Sequence, residues 1–394
     1  MKRCKIWENS KLKKLKSKPK FFIVTTVSDS LIFFKGQLNV LKEEFDISLV
    51  CNPGNNLDEM TKEYKVKGYG IKMKREISLV NDCISLINLI FLFLKNKPDL
   101  VHANTPKGSL LSIIASWITR VPVRVYYIHG LRYQGVTGNK RKLLVLMEKI
   151  TCFLATDILV VSNGVKEQVK IDKLTNKNIR LIWNGSINGI DLDDFNSEEI
   201  KEADVEGISK DDFVFGFIGR LVKDKGIEEL ISAFLSLRES ISNTKLLVLG
   251  NFEGDETLNK KVIENIKTHP DIIYQGFQKD IKPYLKLMDI FVLPSYREGF
   301  GVALAEASAM KIPCITTNVL GCSEVIINEK TGYIIPSRDY ESLFQVMKCV
   351  TQNKENLKTM GEAGRKNVQK KYEQKQLWEK SKEEYLKIIS GKNV

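Results

Sequence analysis

A chain of 394 residues exceeds one ordinary hydrophobic core and suits two domains of nearly 200 residues each. An apolar fraction of 43% with 28% charged residues excludes disordered and fibrous classes; seven cysteines without a C-x-x-C pair, beside three scattered histidines, argue against a disulfide framework or structural zinc site and for a reducing cytoplasm. The net charge is +13: residues 1–200 carry +12 (32 Lys and Arg against 20 Asp and Glu) and residues 201–394 carry +1 (29 against 28), so the first half is expected to meet something anionic.

The first 20 residues are basic but lack the apolar core of a signal peptide. Strand-like runs rich in β-branched and aromatic residues follow at 21–27, 47–51, 99–103, 123–129, 157–161 and 179–183, with helix-length stretches at 77–97, 107–119 and 140–155. The longest apolar run, roughly 83–94, is interrupted by Ser85 and Asn88. It is shorter than the ~20 residues of a membrane span, so no spanning helix is expected. Residues 184–212 are rich in Asn, Gly, Ser and acids without a sustained period and read as a linker. Strand-like runs then restart at 213–219, 245–250, 271–276, 289–294, 314–316 and 331–336. The tail at 373–390 reads as one helix with Trp378, Tyr385 and Ile389 on a common face. The alternation predicts an α/β protein with two Rossmann-like, doubly wound domains facing across a cleft. Their expected spans are 1–190 and 191–372, with a helix over 373–394 crossing back to the first domain.

In such sheets ligands sit outside the carboxyl ends of the strands, so the loops after strands carry the candidates. The stretch EGFGVALAE (298–306) places Gly299, Phe300 and Gly301 before a helix opening near Val302, with Glu298 ahead of it and Glu306 inside it. Close backbone approach and a helix N-terminus suit an anion, while the carboxylates suit sugar hydroxyls. Taken alone, the pair could equally be a helix-dipole partner and a solvated acid. The stretch GRLVKDKG (219–226) fits neither a P-loop nor a G-x-G-x-x-G fingerprint. It leaves Arg220 and Lys225 at a strand-to-helix turn, either as a diphosphate clamp or as two surface bases. His129 ends a strand and is followed by Gly130, Arg132 and Tyr133; His102 ends another and ranks below it as a lining or structural residue. No D-x-D pair accompanies the diphosphate candidates, so no metal ligand set is expected.

The two motifs, in this order in one half, resemble the nucleotide-binding domain of family 4 glycosyltransferases, retaining enzymes of the GT-B fold. GCSEVI (321–326) and TGYIIP (331–336) are also similar to that family, while NGSINGID (184–191), HGLRY (129–133) and FFKGQL (33–38) resemble its bacterial branch that builds capsular and O-antigen polysaccharides. The resemblance implies that Arg220 and Lys225 hold the donor diphosphate and that Glu306 binds the ribose hydroxyls. Glu298 and the backbone of Gly299, Phe300 and Gly301 would hold the donor sugar, with Gly276 and Phe277 seating the base. His129 would lie beside the donor sugar and acceptor hydroxyl, with Glu298 as the other catalytic candidate. Many members carry Gly-Gly in the loop after the first strand; here only Gly36, beside Lys35, is left to approach the phosphate.

The implied reaction is metal-independent, retaining transfer from a UDP-sugar, taken as an N-acetylated hexosamine, to a polyprenyl-diphosphate-linked saccharide, without a cofactor. Arg132, Lys140, Arg141 and Lys142 flank the expected acceptor side and lead into an amphipathic helix at 143–154. That basic face, with residues 1–20, is expected to dock on the anionic inner membrane surface and make the protein peripheral on the cytoplasmic side; the alternative is a set of solvated lysines. A sugar-nucleotide 2-epimerase and a nucleic-acid-binding protein are the competing readings. The basic face lacks an RNP-like aromatic motif or a helix-turn-helix pattern, so no nucleic-acid partner is expected.

Overall fold

The computed structural model describes residues 17–253 and 258–391; most of the basic leading segment therefore lies outside the described residues. The chain divides into two compact units. One runs through Val161 and includes Lys166–Trp183 and the chain from Leu377 on; the other comprises Ser162–Val165 and Asn184–Gln376.

The first unit alternates β1 (Lys20–Val24), α1 (Gln37–Leu41), β2 (Asp46–Cys51), α2 (Asn55–Tyr64), β3 (Lys67–Gly70), α3 (Leu79–Asn96), β4 (Leu100–Ala103), α4 (Pro106–Ile118), β5 (Val123–Ile128), α5 (Gly138–Leu154), β6 (Asp157–Val160), α6 (Asn163–Ile171) and β7 (Ile179–Leu181). All pairings are parallel, in the order β3-β2-β1-β4-β5-β6-β7. A parallel sheet buried on both faces explains the near-continuous apolar runs read as strands. Phe22 and Val24 point to the face where Leu89 and Phe93 of α3 and Leu111 of α4 complete a core. Their neighbour Phe21 points the other way, against Phe45 and His102. Edge strand β3, KGYG, escapes the sequence reading because it is largely exposed and has no β-branched residue.

The second unit contains β8 (Phe213–Ile218), α7 (Ile227–Arg238), β9 (Thr244–Leu249), α8 (Lys260–Thr268), β10 (Ile272–Gly276), α9 (Lys282–Leu285), β11 (Ile290–Leu293), α10 (Val302–Ala309), β12 (Cys314–Thr317), α11 (Leu320–Ser323), β13 (Gly332–Ile335), α12 (Tyr340–Gln352) and α13 (Glu355–Tyr372). Its six parallel strands follow the order β10-β9-β8-β11-β12-β13. Phe213, Phe215 and Phe217 alternate along β8 and are fully buried, with Phe215 edge-on to Phe234 of α7. The expected linker carries no helix or ladder strand from 184 to 212, and Arg365 of α13 fastens it through the carbonyls of Leu192 (3.0 Å) and Phe195 (2.6 Å). The final helix α14 (Gln374–Ser390) buries Leu377, Tyr385 and Ile389, while Trp378 is only partly covered. Each unit is a doubly wound α/β sheet, as the strand–helix alternation predicts.

The run at 83–94 belongs to the longer helix α3, whose 18 residues are long and apolar enough to cross a membrane by length and composition alone, while its Leu89 and Phe93 are part of the first unit's core. Sequence contiguity hid this, because Ser85 turns inward, its hydroxyl lying 2.6 Å from the carbonyls of both Lys72 and Asn81 and donating to one at a time.

Candidate active site

In the second unit β8 and β11 are neighbours, and the strand order reverses between them. Loops leaving two such strands splay apart and open a crevice at the switch point. The Arg220–Lys225 loop follows β8 and the Glu298–Gly301 loop follows β11, so the two sequence motifs meet there.

Several contacts lock the loops together. The Lys225 ammonium donates to the Glu298 carboxylate, which also accepts from the Ser295 hydroxyl at 3.0 Å. Arg297 pairs with Asp224 at 2.5 Å, the Tyr296 amide donates to the Asp224 carbonyl at 2.9 Å, and the Tyr296 hydroxyl donates to Glu229. Gly226 caps α7 with φ +69°, and a Cβ there would lie 2.0 Å from the Pro294 carbonyl oxygen. Only glycine permits both the left-handed turn and this approach. Arg220 is more open: about half exposed, its guanidinium donates to Glu253 at 2.8 Å.

α10 opens at Val302, where the sequence puts it. The amides of Gly299 and Phe300 meet no acceptor among the described residues. The Gly301 amide, expected to serve the donor sugar, instead donates to the Gly321 carbonyl at 2.9 Å and is unavailable. The Phe300 ring is buried edge-on to Tyr372, leaving only its backbone for a ligand. Glu306 lies one helical turn into α10, half-buried, and no protein donor among the described residues meets its carboxylate. Burial pushes its pKa up to about 7. Gly276 ends β10 at φ +65°, and its carbonyl accepts from the Gly250 amide at 2.8 Å. The ring of the adjacent Phe277 is 69% exposed.

The first unit has its own reversal point between β1 and β4. His129, just beyond β5, stacks on Phe33 from the loop after β1 (5.5 Å) and hydrogen-bonds Asn104 from the loop after β4 (2.8 Å). The Asn104 amide nitrogen faces the carbonyls of His102 (3.1 Å) and Val24 (3.3 Å) and the Nδ1 of His102 (2.9 Å). Carbonyls only accept, so the amide oxygen is what faces His129, and Nε2 of His129 must carry the proton. Its Nδ1 is then a bare acceptor, buried and without a partner among the described residues. His102 Nε2 in turn lies 3.0 Å from the Tyr385 hydroxyl of α14. Burial holds both imidazoles neutral, with pKa values lowered to about 3. Sequence reasoning missed Asn104; its only signal was its place two residues after a strand-end histidine.

Gly36 does not offer its amide to an anion. That N–H donates to the Tyr64 hydroxyl at 2.9 Å, and the Trp378 ring lies 2.2 Å from where a Cβ would stand. With φ +77°, this packing accounts for the glycine without a phosphate. Arg132, Lys140 and Lys142 are exposed. Arg141 lies over the Tyr133 ring at 5.4 Å and 3.9 Å from Asp172, so part of its charge is already answered within the protein.

Two family models match the chain: Glycosyltransferase Family 4 over residues 40–192 and Glycosyl transferases group 1 over residues 198–367. The capsular polysaccharide biosynthesis glycosyltransferase CapM of Staphylococcus aureus is 36% identical over 379 residues, 95% of this chain and 99% of that protein. The UDP-Gal:alpha-D-GlcNAc-diphosphoundecaprenol alpha-1,3-galactosyltransferase of Escherichia coli is 29% identical over 322 residues, 79% of this chain and 81% of its own. In structure, Anabaena HepE in complex with UDP and glucose superposes with a TM-score of 0.75 at 15% identity, covering 93% of this chain and 99% of that one.

Proposed function

The chain belongs to glycosyltransferase family 4, and from that premise we propose that it transfers a hexosyl unit from a UDP-sugar to a polyprenyl-diphosphate-linked saccharide during capsular polysaccharide synthesis. An N-acetylated hexosamine is the donor sugar we favour. The observation that carries the reading is the interlocking of the two motif loops at the switch point of the second unit, with Lys225 on Glu298 and Arg220 at the same strand edge. The two relatives, one of the capsule and one named for a diphosphoundecaprenol acceptor, support the pathway and the acceptor class.

Cleaving a sugar–nucleotide bond builds negative charge on the leaving diphosphate and positive charge on the anomeric carbon. Arg220, Lys225 and the amides of Gly299 and Phe300 provide positive charge and dipoles for the former. Both basic groups hold carboxylates before the donor arrives. Each therefore exchanges one anion for another, and its catalytic effect is the surplus as charge develops. With charged hydrogen bonds worth about 1.5–3 kcal/mol each, the pair could supply roughly 10²–10⁴ in rate. These cations take the place of a metal. Glu306 accepts the ribose hydroxyls, and Glu298 shares itself between Lys225 and the donor sugar. His129, neutral and oriented by Asn104, is the residue of the first unit that lies beside the acceptor hydroxyl in this reading. Configuration is retained by attack from the face the diphosphate leaves, with the departing phosphate taking the acceptor proton. The lipid-borne acceptor makes the enzyme peripheral at a membrane.

The test is transfer from UDP-hexoses to a synthetic polyprenyl-diphosphate saccharide in EDTA, with the anomeric configuration of the product read by NMR. Turnover with retention supports the proposal. Dependence on a divalent ion, inversion, or conversion of the UDP-sugar without an acceptor would refute it.

A further inference from the structure

We propose that Tyr385 of the final helix α14 is a positioning residue for His129: as the last acceptor of a hydrogen-bond chain through His102 and Asn104, it fixes which nitrogen of each buried imidazole holds the proton. The chain lies within the first unit, and its steps from Tyr385 to His102, Asn104 and His129 measure 3.0, 2.9 and 2.8 Å.

A neutral imidazole donates through one nitrogen and accepts through the other, and an amide donates through nitrogen and accepts through oxygen. A chain of such groups can be polarised in two ways. In one, His129 Nε2 donates to the Asn104 oxygen, the Asn104 nitrogen donates to His102 Nδ1, and His102 Nε2 donates to the Tyr385 oxygen. In the other, every proton is shifted: the Tyr385 hydroxyl donates inward and Nδ1 of His129 becomes an N–H. The carbonyls of His102 and Val24, 3.1 and 3.3 Å from the Asn104 nitrogen, select the first. An amide oxygen in that place would face both carbonyl oxygens. His102 must then hold its proton on Nε2, where the Tyr385 oxygen receives it. Without that oxygen a fully buried N–H loses its partner, and the first polarisation loses its advantage.

The surroundings set the tautomer without adding charge. Phe21, Phe34 and Tyr127 pack around His102, and Phe33 and Tyr127 around His129. Burial among these rings keeps both imidazoles neutral. An amide orients His129 as a carboxylate would, but without raising its pKa. α14 also supports the segment next to Phe33: the Gln37 amide donates to Ser381 at 3.2 Å, and the Trp378 ring packs on Gly36. In the reading that places His129 beside the acceptor hydroxyl, the first polarisation keeps Nδ1 from donating to the attacking oxygen. The second would tie up the electrons with which that oxygen attacks.

The inference rests on that reading for its effect on transfer, but its spectroscopic readout needs no turnover, so either can fail alone. In ¹⁵N NMR of the histidine-labelled full chain at neutral pH, His102 and His129 should both be protonated on Nε2 in the wild type. Tyr385→Phe keeps the ring against Phe21 and removes only the oxygen. It should move the His129 proton toward Nδ1 and lower kcat by roughly tenfold, with UDP affinity unchanged. Ser381→Ala removes a different buried hydrogen bond of the same helix. It should lower the thermal midpoint but leave the imidazole signals and kcat as they are. A His129 tautomer that Tyr385→Phe does not move would overturn the proposal. So would a wild type protonated on Nδ1 of either ring, or a Ser381→Ala variant with the same tautomer change. A moved tautomer with unchanged transfer leaves the chain standing and removes the role of His129 in the proposed reaction; transfer lost with the tautomer unmoved does the reverse.

Discussion

In the proposed donor site, Glu306 would tie stability to ligand binding at a single carboxylate. Burial raises its pKa to about 7, so the unliganded folded chain prefers it protonated. The unfolded chain releases that proton near the ordinary glutamate value of ~4.3. Between these values the folded state holds more protons, and the contribution of Glu306 to stability falls as pH rises through about 7. Ribose hydroxyls would donate to the ionised form, so UDP affinity should strengthen from pH 6 to 8. Glu306→Gln should flatten that dependence and weaken UDP by roughly 10–150-fold, while raising the thermal midpoint at pH 8 more than at pH 5. Calorimetry and thermal melts at the two pH values check both halves.

Asn104 permits a second residue-scale test. Asn104→Asp keeps an acceptor for the Nε2–H of His129 but adds a negative charge, so the His129 pKa should rise from about 3 toward its ordinary value. The acid limb of the pH–rate profile should move upward with it, and ¹⁵N NMR of this three-histidine chain should show His129 Nδ1 unprotonated at neutral pH in the wild type. At this scale the sequence exposed the residues that sit in motifs: Arg220, Lys225, Glu298, Glu306 and His129. It hid Asn104 and Glu253, whose chemistry is ordinary until folding brings them against a motif residue. It also overstated Gly36 and Gly301, whose amides the fold engages elsewhere.

At the scale of elements, the Lys225–Glu298 contact is the joint between the loops after β8 and β11. Both side chains are largely buried, so Lys225→Met should leave a carboxylate without its cation and cost about 1–3 kcal/mol. Glu298→Gln alone should cost a similar amount, and the double variant less than the sum. Stability should thus recover in the double variant while transfer does not, because the diphosphate still lacks its lysine. Denaturant melts beside transfer rates separate the two effects. Apart from β3, whose exposed KGYG carries too little apolar content to register, every strand was legible as an apolar run. α3 was legible as a helix but its second apolar side was not, because the inward-facing Ser85 broke the run while the outward-facing positions stayed apolar.

Across the whole molecule, the restart of strand–helix alternation after residue 212 announced two α/β units, and both were found with parallel sheets. Periodicity also showed the last helix, but its buried contacts with Phe21 and His102 through Tyr385 join positions hundreds of residues apart that no local pattern links. The central claim is that the loops after β8 and β11 form a donor-nucleotide site. Its most direct test is calorimetric titration of UDP into the wild type, Arg220→Ala and Glu306→Ala in the presence of EDTA. The account predicts saturable metal-free binding by the wild type and loss of at least roughly tenfold in each variant. Equal affinity in all three proteins, or no UDP binding by the wild type, would contradict it.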